Sequence, residues 1–257
     1  MRLFDTHCHL DFAPFKAQLG ATLQEASEQG VERFLVPAIG ESNWSDLIAL
    51  SQQHTNLYIS LGCHPYFVHT DSLIEVSRLE AQCDLAGSVC IAVGECGLDA
   101  MIDVDAQRQE AVFEAQISVA KNLRRPLILH GRKTYHRLLQ LLKQHRFHYG
   151  GILHGFSGSY QQAMQFVELG FYIGVGGVIT YPRANKTRQA VTQVPIDHLV
   201  LETDAPDMPL SGYQGQANHP KRLPQVLTTL AQLKQSCEQT VAENVWKNSF
   251  LALSICE

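Results

Sequence analysis

The chain predicts an α/β fold, a single (β/α)8 TIM barrel with a C-terminal helical extension, and three features carry that expectation. Eight short apolar runs of strand length recur along the 257 residues, amphipathic segments of helical period separate them, and no linker-like tract divides the chain. Strand alternating with helix is the pattern of parallel strands joined by crossover helices. A doubly wound open sheet shares that rhythm, but eight units over this length favour the closed barrel and one domain spanning residues 1–257.

The apolar runs fall at residues 3–6, 33–39, 57–62, 90–94, 126–129, 151–153, 171–176 and 199–201. Helical period is clearest at 106–122 and 135–145, and two further helical segments, 224–235 and 241–253, complete the outer ring. The irregular stretch 204–220, rich in Pro and Gly, follows the eighth run, where loops of this kind often cover active sites.

A hydrophobic content of 45% supports one large core, and a net charge of −5 gives no global basic field for nucleic acid or an anionic membrane. Any polyanionic substrate has to be gripped locally. The opening M-R-L-F-D-T-H-C-H-L carries charge where a secretion signal needs unbroken apolar residues, and no later run reaches bilayer length, so a cytoplasmic protein without membrane contact is expected. Seven cysteines, Cys8, Cys63, Cys83, Cys90, Cys96, Cys237 and Cys256, form an odd set without a C-x-x-C pair, which fits reduced thiols, mostly in the core.

Chemistry enters through position. A metal-capable or acidic side chain stands just past the apolar run in six of the eight strands: His7 and His9, His64, Glu95, His130, His154 and Asp204. In a (β/α)8 barrel these points converge on the C-terminal face, where active sites of the fold lie. Single histidines are usually hydrogen-bonded structural residues, but scattered ones have no reason to respect this register. Period-two alternation points His7 and His9 to one side and Cys8 to the other, and it aligns His130 with Arg132 and Glu202 with Asp204. Imidazole suits transition metals, and a carboxylate can bridge two cations. Four histidines, one glutamate and one aspartate suffice for two divalent ions, with Zn, Mn or Mg as candidates.

Read together, D-T-H-C-H-L-D (residues 5–11), G-C-H-P (62–65), G-E-C-G-L-D (94–99), P-L-I-L-H-G-R (126–132), H-G-F-S-G-S (154–159) and L-E-T-D-A-P (201–206) resemble the TatD family of metal-dependent hydrolases. The deoxyribonuclease members of that family belong to the wider amidohydrolase-like barrels. The resemblance implies that His7, His9, Glu95 and Asp204 hold one metal, and that Glu95 also reaches a second held by His130 and His154. It implies that Asp204 handles the proton of an attacking water and that His64 lies on the substrate side. Related barrels often bridge with a carbamylated lysine, and no strand end here offers one. One departure is Gly155, where many members carry cysteine.

Arg132 is the other expected substrate contact, because its planar fork matches phosphate oxygens. Glu202 is expected to hold the second ring nitrogen of a metal-bound histidine. Asn218 resembles a family position, with turn stabilisation as its alternative. Lys133, Arg137, Arg183, Lys186, Arg188, Lys221 and Arg222 could form a phosphate-binding rim or be solvated helix faces, and Trp44, Tyr66 and Phe156 could stack on bases or pack in the core. The leading function from this resemblance is a phosphodiesterase acting on DNA, a deoxyribonuclease that trims single strands from an end. A hydrolase of C–N, ester or small phosphate bonds and a noncatalytic metal-binding protein remain open alternatives, and no obligate protein partner is expected.

Overall fold

Strands whose two faces are both apolar need cover on both sides, which a parallel barrel ringed by helices supplies. The computed structural model describes residues 1–257, and its eight strands form one sheet in sequence order. They are β1 (Leu3–Asp5), β2 (Val31–Pro37), β3 (Leu57–Leu61), β4 (Cys90–Asp99), β5 (Leu127–Arg132), β6 (Gly151–Leu153), β7 (Phe171–Val175) and β8 (Leu199–Leu201). Every successive pair is parallel. The seam between β8 and β1 is closed by individual hydrogen bonds: Thr6 donates to the Leu201 carbonyl from N at 3.0 Å and from Oγ1 at 2.9 Å. Above it, Thr203 donates to the Asp5 carboxyl from N at 2.9 Å and from Oγ1 at 2.6 Å.

The core divides into two layers. Inside the barrel, Phe4, Leu35, Ala92, Ile128, Ile152 and Val200 meet. Outward residues of the same strands, including Phe34, Leu57, Val93, Leu129, Ile173 and Leu199, pack beneath the helices. These helices are α1 (Leu19–Glu28), α2 (Glu41–Gln53), α3 (Ser72–Val76), α4 (Leu79–Ala86), α5 (Ala106–Leu123), α6 (Tyr135–Gln144), α7 (Tyr160–Val167), α8 (Asn185–Gln193), α9 (Leu223–Lys234) and α10 (Glu238–Ala252). The last is more than an appended extension. Its Trp246 and Phe250 join the inner layer, Phe250 meeting Phe4 edge-on at 5.6 Å, so α10 plugs the barrel at the end where β1 begins.

Two strands run further than their apolar stretches suggest. β4 continues through Glu95 to Asp99 and β5 through His130 to Arg132, and the extensions pair Gly97 with His130 and Asp99 with Arg132. Between the pairs Val93–Leu127 and Cys96–Leu129 the register slips, so Gly94 and Glu95 stand opposite the single residue Ile128. This is a β-bulge, and it decides where Glu95 points. Ala92 faces inward and Val93 outward, so unbroken alternation would turn Glu95 to the helices; the extra residue turns it into the barrel. Glycine is required beside it: at φ +147° a Cβ on Gly94 would lie 2.6 Å from the Ile128 carbonyl oxygen. No helix is long and apolar enough to cross a membrane.

Candidate metal centre

The strand ends deliver their side chains around Glu95, whose two carboxylate oxygens face different partners. Oε2 lies 3.2 Å from His7 Nε2 and 3.8 Å from His9 Nε2. Asp204 Oδ1 completes that side, 3.6 Å from His7 Nε2 and 3.9 Å from His9 Nε2. Oε1 lies 3.0 Å from His154 Nε2, 3.1 Å from His130 Nδ1 and 3.4 Å from His64 Nε2. All six residues expected as ligands therefore meet in one place, with His64 added on the Oε1 side. Cys8 turns away from the two imidazoles, its thiol directed at the Leu35 carbonyl.

The backbone holds this arrangement by contacts across the seam. Asp204 N donates to the His7 carbonyl at 2.8 Å, and His9 N to that of Ala205 at 2.7 Å. β8 has ended by then, and Asp204 adopts a left-handed backbone at φ +57°, a conformation uncommon outside glycine and frequent at functional sites. Glu95 is fixed at the bulge by its N–H donating to the Ala38 carbonyl at 3.1 Å.

Glu95 and His7 are held in the forms a metal ligand needs. Burial resists charge on Glu95, but the His154, His64 and His7 imidazoles around it outweigh that cost and hold its carboxyl well below the usual range. Burial, aided by His154, pushes His7 down to about 3, leaving a neutral ring with a lone pair to give. Burial raises the Asp204 carboxyl. His7 Nε2 is fully enclosed and makes no hydrogen bond, although carboxylate oxygens from two residues stand within 3.6 Å. A buried ring nitrogen left in that state among carboxylates fits a cation ligand, and the imidazole and carboxylate donor set fits divalent ions.

Two carboxylates support the rings from behind. Glu202, expected to hold the second ring nitrogen of a ligand histidine, accepts the Gly155 N–H at 2.6 Å but stands 3.8 Å from His154 Nδ1, which makes no hydrogen bond. Its other oxygen rests against Gly174, where any Cβ would come within 2.3 Å. Asp99, to which sequence reading assigned no role, lies 3.2 Å from His130 Nε2 and accepts the Met101 N–H at 2.7 Å. Its backbone is gripped by the buried Gln109 side chain of α5 through bonds of 2.9 and 3.1 Å. The signal was present in period two: Glu95, Gly97 and Asp99 share a face once β4 is allowed to continue.

The centre opens into a cavity of about 580 Å3, lined on one wall by His64, Tyr66 and Phe67, on another by His130 and Arg132, and closed by Asp204 and Met208. Arg132 is exposed there, with no carboxylate within ion-pair distance. Most of the proposed basic rim is committed elsewhere. Arg137 forms a bidentate pair with Glu110, Lys221 pairs with Glu25, Arg188 donates to the Ile179 carbonyl, and Arg222 covers the Tyr213 ring. Trp44 and Phe156 are core residues: the indole N–H donates to the Gly62 carbonyl at 2.9 Å, and Phe156 stacks on Tyr135 at 5.8 Å. Asn218 is buried outside the cavity and donates to the Thr203 and Met208 carbonyls, so it braces the loop after β8.

Comparison with known proteins agrees over the full length. Residues 4–254 match the profile of the family described as TatD related DNase. An uncharacterized metal-dependent hydrolase of Escherichia coli K12, YjjV, is 41% identical over 255 residues, covering 99% of this chain and 98% of the relative. An uncharacterized metal-dependent hydrolase of Haemophilus influenzae is 38% identical over 257 residues, covering 97% and 98%. The crystal structure of the E. coli YjjV protein, a TatD homologue, superposes with a TM-score of 0.95 at 41% identity, over 99% of each chain. A TatD family hydrolase from Entamoeba histolytica, 19% identical, shares the fold with a TM-score of 0.86 over 98% of each chain.

Proposed function

The chain belongs to the TatD-related DNase family, and from that premise we propose that this metal-dependent hydrolase cuts phosphodiester bonds of DNA, with two divalent cations sharing Glu95. One observation carries the reading: the two oxygens of Glu95 address two separate groups of ligand atoms. His7, His9, Glu95 and Asp204 would hold one cation, and Glu95, His130 and His154 the other. When bound, such cations lower the pKa of water toward neutrality and neutralise charge on a phosphodiester.

The chain's own residues supply the rest. Asp204 stands at the cavity wall with its carboxyl raised by burial, so it can take a proton from the attacking water and return it to the departing alkoxide. Arg132 offers an unpaired guanidinium fork at the mouth, matched to two phosphate oxygens. His64 commits Nδ1 to the Tyr66 N–H and directs Nε2 at the site, which leaves a single nitrogen to meet substrate. Asp99 keeps His130 from rotating away, and Glu202 places a negative charge behind His154.

Purified protein incubated with end-labelled oligonucleotides and Mg2+, Mn2+ or Zn2+ tests this. Shortening that needs the cation, stops with chelator and is lost in Glu95→Gln is the expected result. Oligonucleotides left intact with all three cations, while amides or lactones are hydrolysed, would overturn it.

A further inference from the structure

Only two of the Phe, Tyr and Trp side chains are exposed, and they are neighbours. Tyr66 is 61% and Phe67 42% accessible, on the short turn Pro65–Phe67 after β3, and both line the cavity that holds Glu95. Every other Phe, Tyr and Trp is buried or half-buried, so this pair is not a general looseness of the surface. Adjacent exposed rings at the mouth of a polar cleft have the character of a binding surface.

Their placement is tied to the metal centre. Tyr66 N donates to His64 Nδ1 at 3.1 Å, Phe67 N donates to the His64 carbonyl at 2.9 Å, and Pro65 between them is buried. His64 Nε2 in turn lies 3.4 Å from Glu95 Oε1. The rings meet each other edge-on at 5.2 Å, and Phe67 meets the His64 ring at 6.1 Å. An aromatic platform of two steeply inclined rings, each with its own face, is therefore held at a set offset from Glu95, with Arg132 also lining the cavity.

We infer that Tyr66 and Phe67 form a subsite that stacks an unpaired nucleobase beside the phosphodiester to be cut, an inference that rests on the phosphodiesterase reading. Every base has a π-face, so the subsite is indifferent to base identity. It is sensitive to pairing. A cavity of about 580 Å3 has the size that takes a single small ligand, and a paired base would bring its partner and the next stacked pair with it. The platform thus selects single-stranded ends by access and holds them by stacking.

The test uses the metal-loaded protein and a set of short single-stranded oligonucleotides in which one abasic nucleotide is moved through each of the terminal positions. Tyr66→Ala and Phe67→Ala should raise KM on the intact oligonucleotide by about 5- to 150-fold, the range equivalent to losing one stacked base, with kcat little changed. One abasic position should cost the wild type a similar factor, and on that substrate the alanine variants should lose nothing more. Tyr66→Phe, which keeps the ring, should behave as wild type, and the preference for single strand over blunt duplex should shrink in the alanine variants. Equal losses on intact and abasic substrates, or no loss on either, would overturn the stacking role while wild-type cleavage upheld the phosphodiesterase reading. A wild type that cuts none of the oligonucleotides would remove both.

Discussion

Replacing Thr203 by valine tests whether the β8–β1 seam is what brings His7, His9 and Asp204 together. Valine keeps the shape of threonine and removes one oxygen, so no cavity opens. Two buried groups lose a partner: Asp5 Oδ2, which accepts Thr203 Oγ1 at 2.6 Å, and the Ala205 N–H, which donates to the same oxygen at 3.2 Å. Each buried group left unsatisfied costs ~1–3 kcal/mol, which places the loss at about 2–6 kcal/mol. For a domain of this size ~1 kcal/mol moves the melting temperature by about 2–4 °C, so a drop on the order of 10 °C is expected. Thermal melts followed by circular dichroism, with and without chelator, measure it, and Thr203→Ser, which keeps the oxygen, should stay close to wild type. Because Asp5 also accepts the His7 N–H at 3.4 Å, the valine variant should gain less melting temperature on adding Zn2+ than the wild type does. A valine variant that melts within about 2 °C of wild type and responds equally to zinc would refute the reasoning.

Removing the brace behind His130 gives a second prediction. Asp99→Ala should weaken divalent cation binding about 10- to 100-fold in competition with a chromophoric chelator, and unchanged affinity would deny Asp99 a positioning role. A third concerns pH and lies away from the metal centre. Burial, then the neighbouring Lys221 charge, pushes His219 from the ordinary 6.5 down to about 4, so between these values the unfolded chain binds a proton that the folded chain resists. Stability should therefore fall as pH drops through that window. In His219→Asn, whose side-chain oxygen can still accept the Lys221 N–H, the melting temperature should decline less between pH 7 and 4.5; parallel curves would exclude the histidine as a source.

The barrel was legible because burial on both faces writes each strand as an apolar run, and the ligands were legible because they terminate those runs. β4 shows where this reading stops. Gly94, Glu95, Gly97 and Asp99 interrupt the apolar pattern, so its second half reads as loop, yet its pairing with β5 keeps it a strand. The bulge is invisible for a related reason: it is a mismatch between two strands and has no signature within either. Asp99 went unassigned as a consequence. The aromatic and basic candidates were separable only by tertiary partners distant in sequence. Gly62 takes the Trp44 indole, and Glu110 and Glu25 take Arg137 and Lys221, which leaves Tyr66 and Arg132 facing the cavity.

Charge balance explains why so many imidazoles gather here. The carboxyl groups of Glu95, Asp99, Glu202 and Asp204 converge on one buried cluster, and an unpaired buried carboxylate is costly. Asp5 stands apart from the balance, since burial pushes it up to about 8 and keeps it largely protonated near neutrality. Within the chain, burial eases the charge by raising the Asp204 carboxyl and pushing Glu202 up to about 7, Arg132 acts on Asp99, and protons on the rings supply the rest. Against the cost of burial, Glu95 drives His154 up to about 10, and hydrogen bonds with Asp99 and Glu95 raise His130. Protons held there occupy the lone pairs that a metal ligand must offer. Under the proposed reading, divalent cations would take over that compensation and free the rings to coordinate. Arg132 acts on Asp99 without forming an ion pair with it, so its guanidinium fork can still meet an anionic substrate at the mouth.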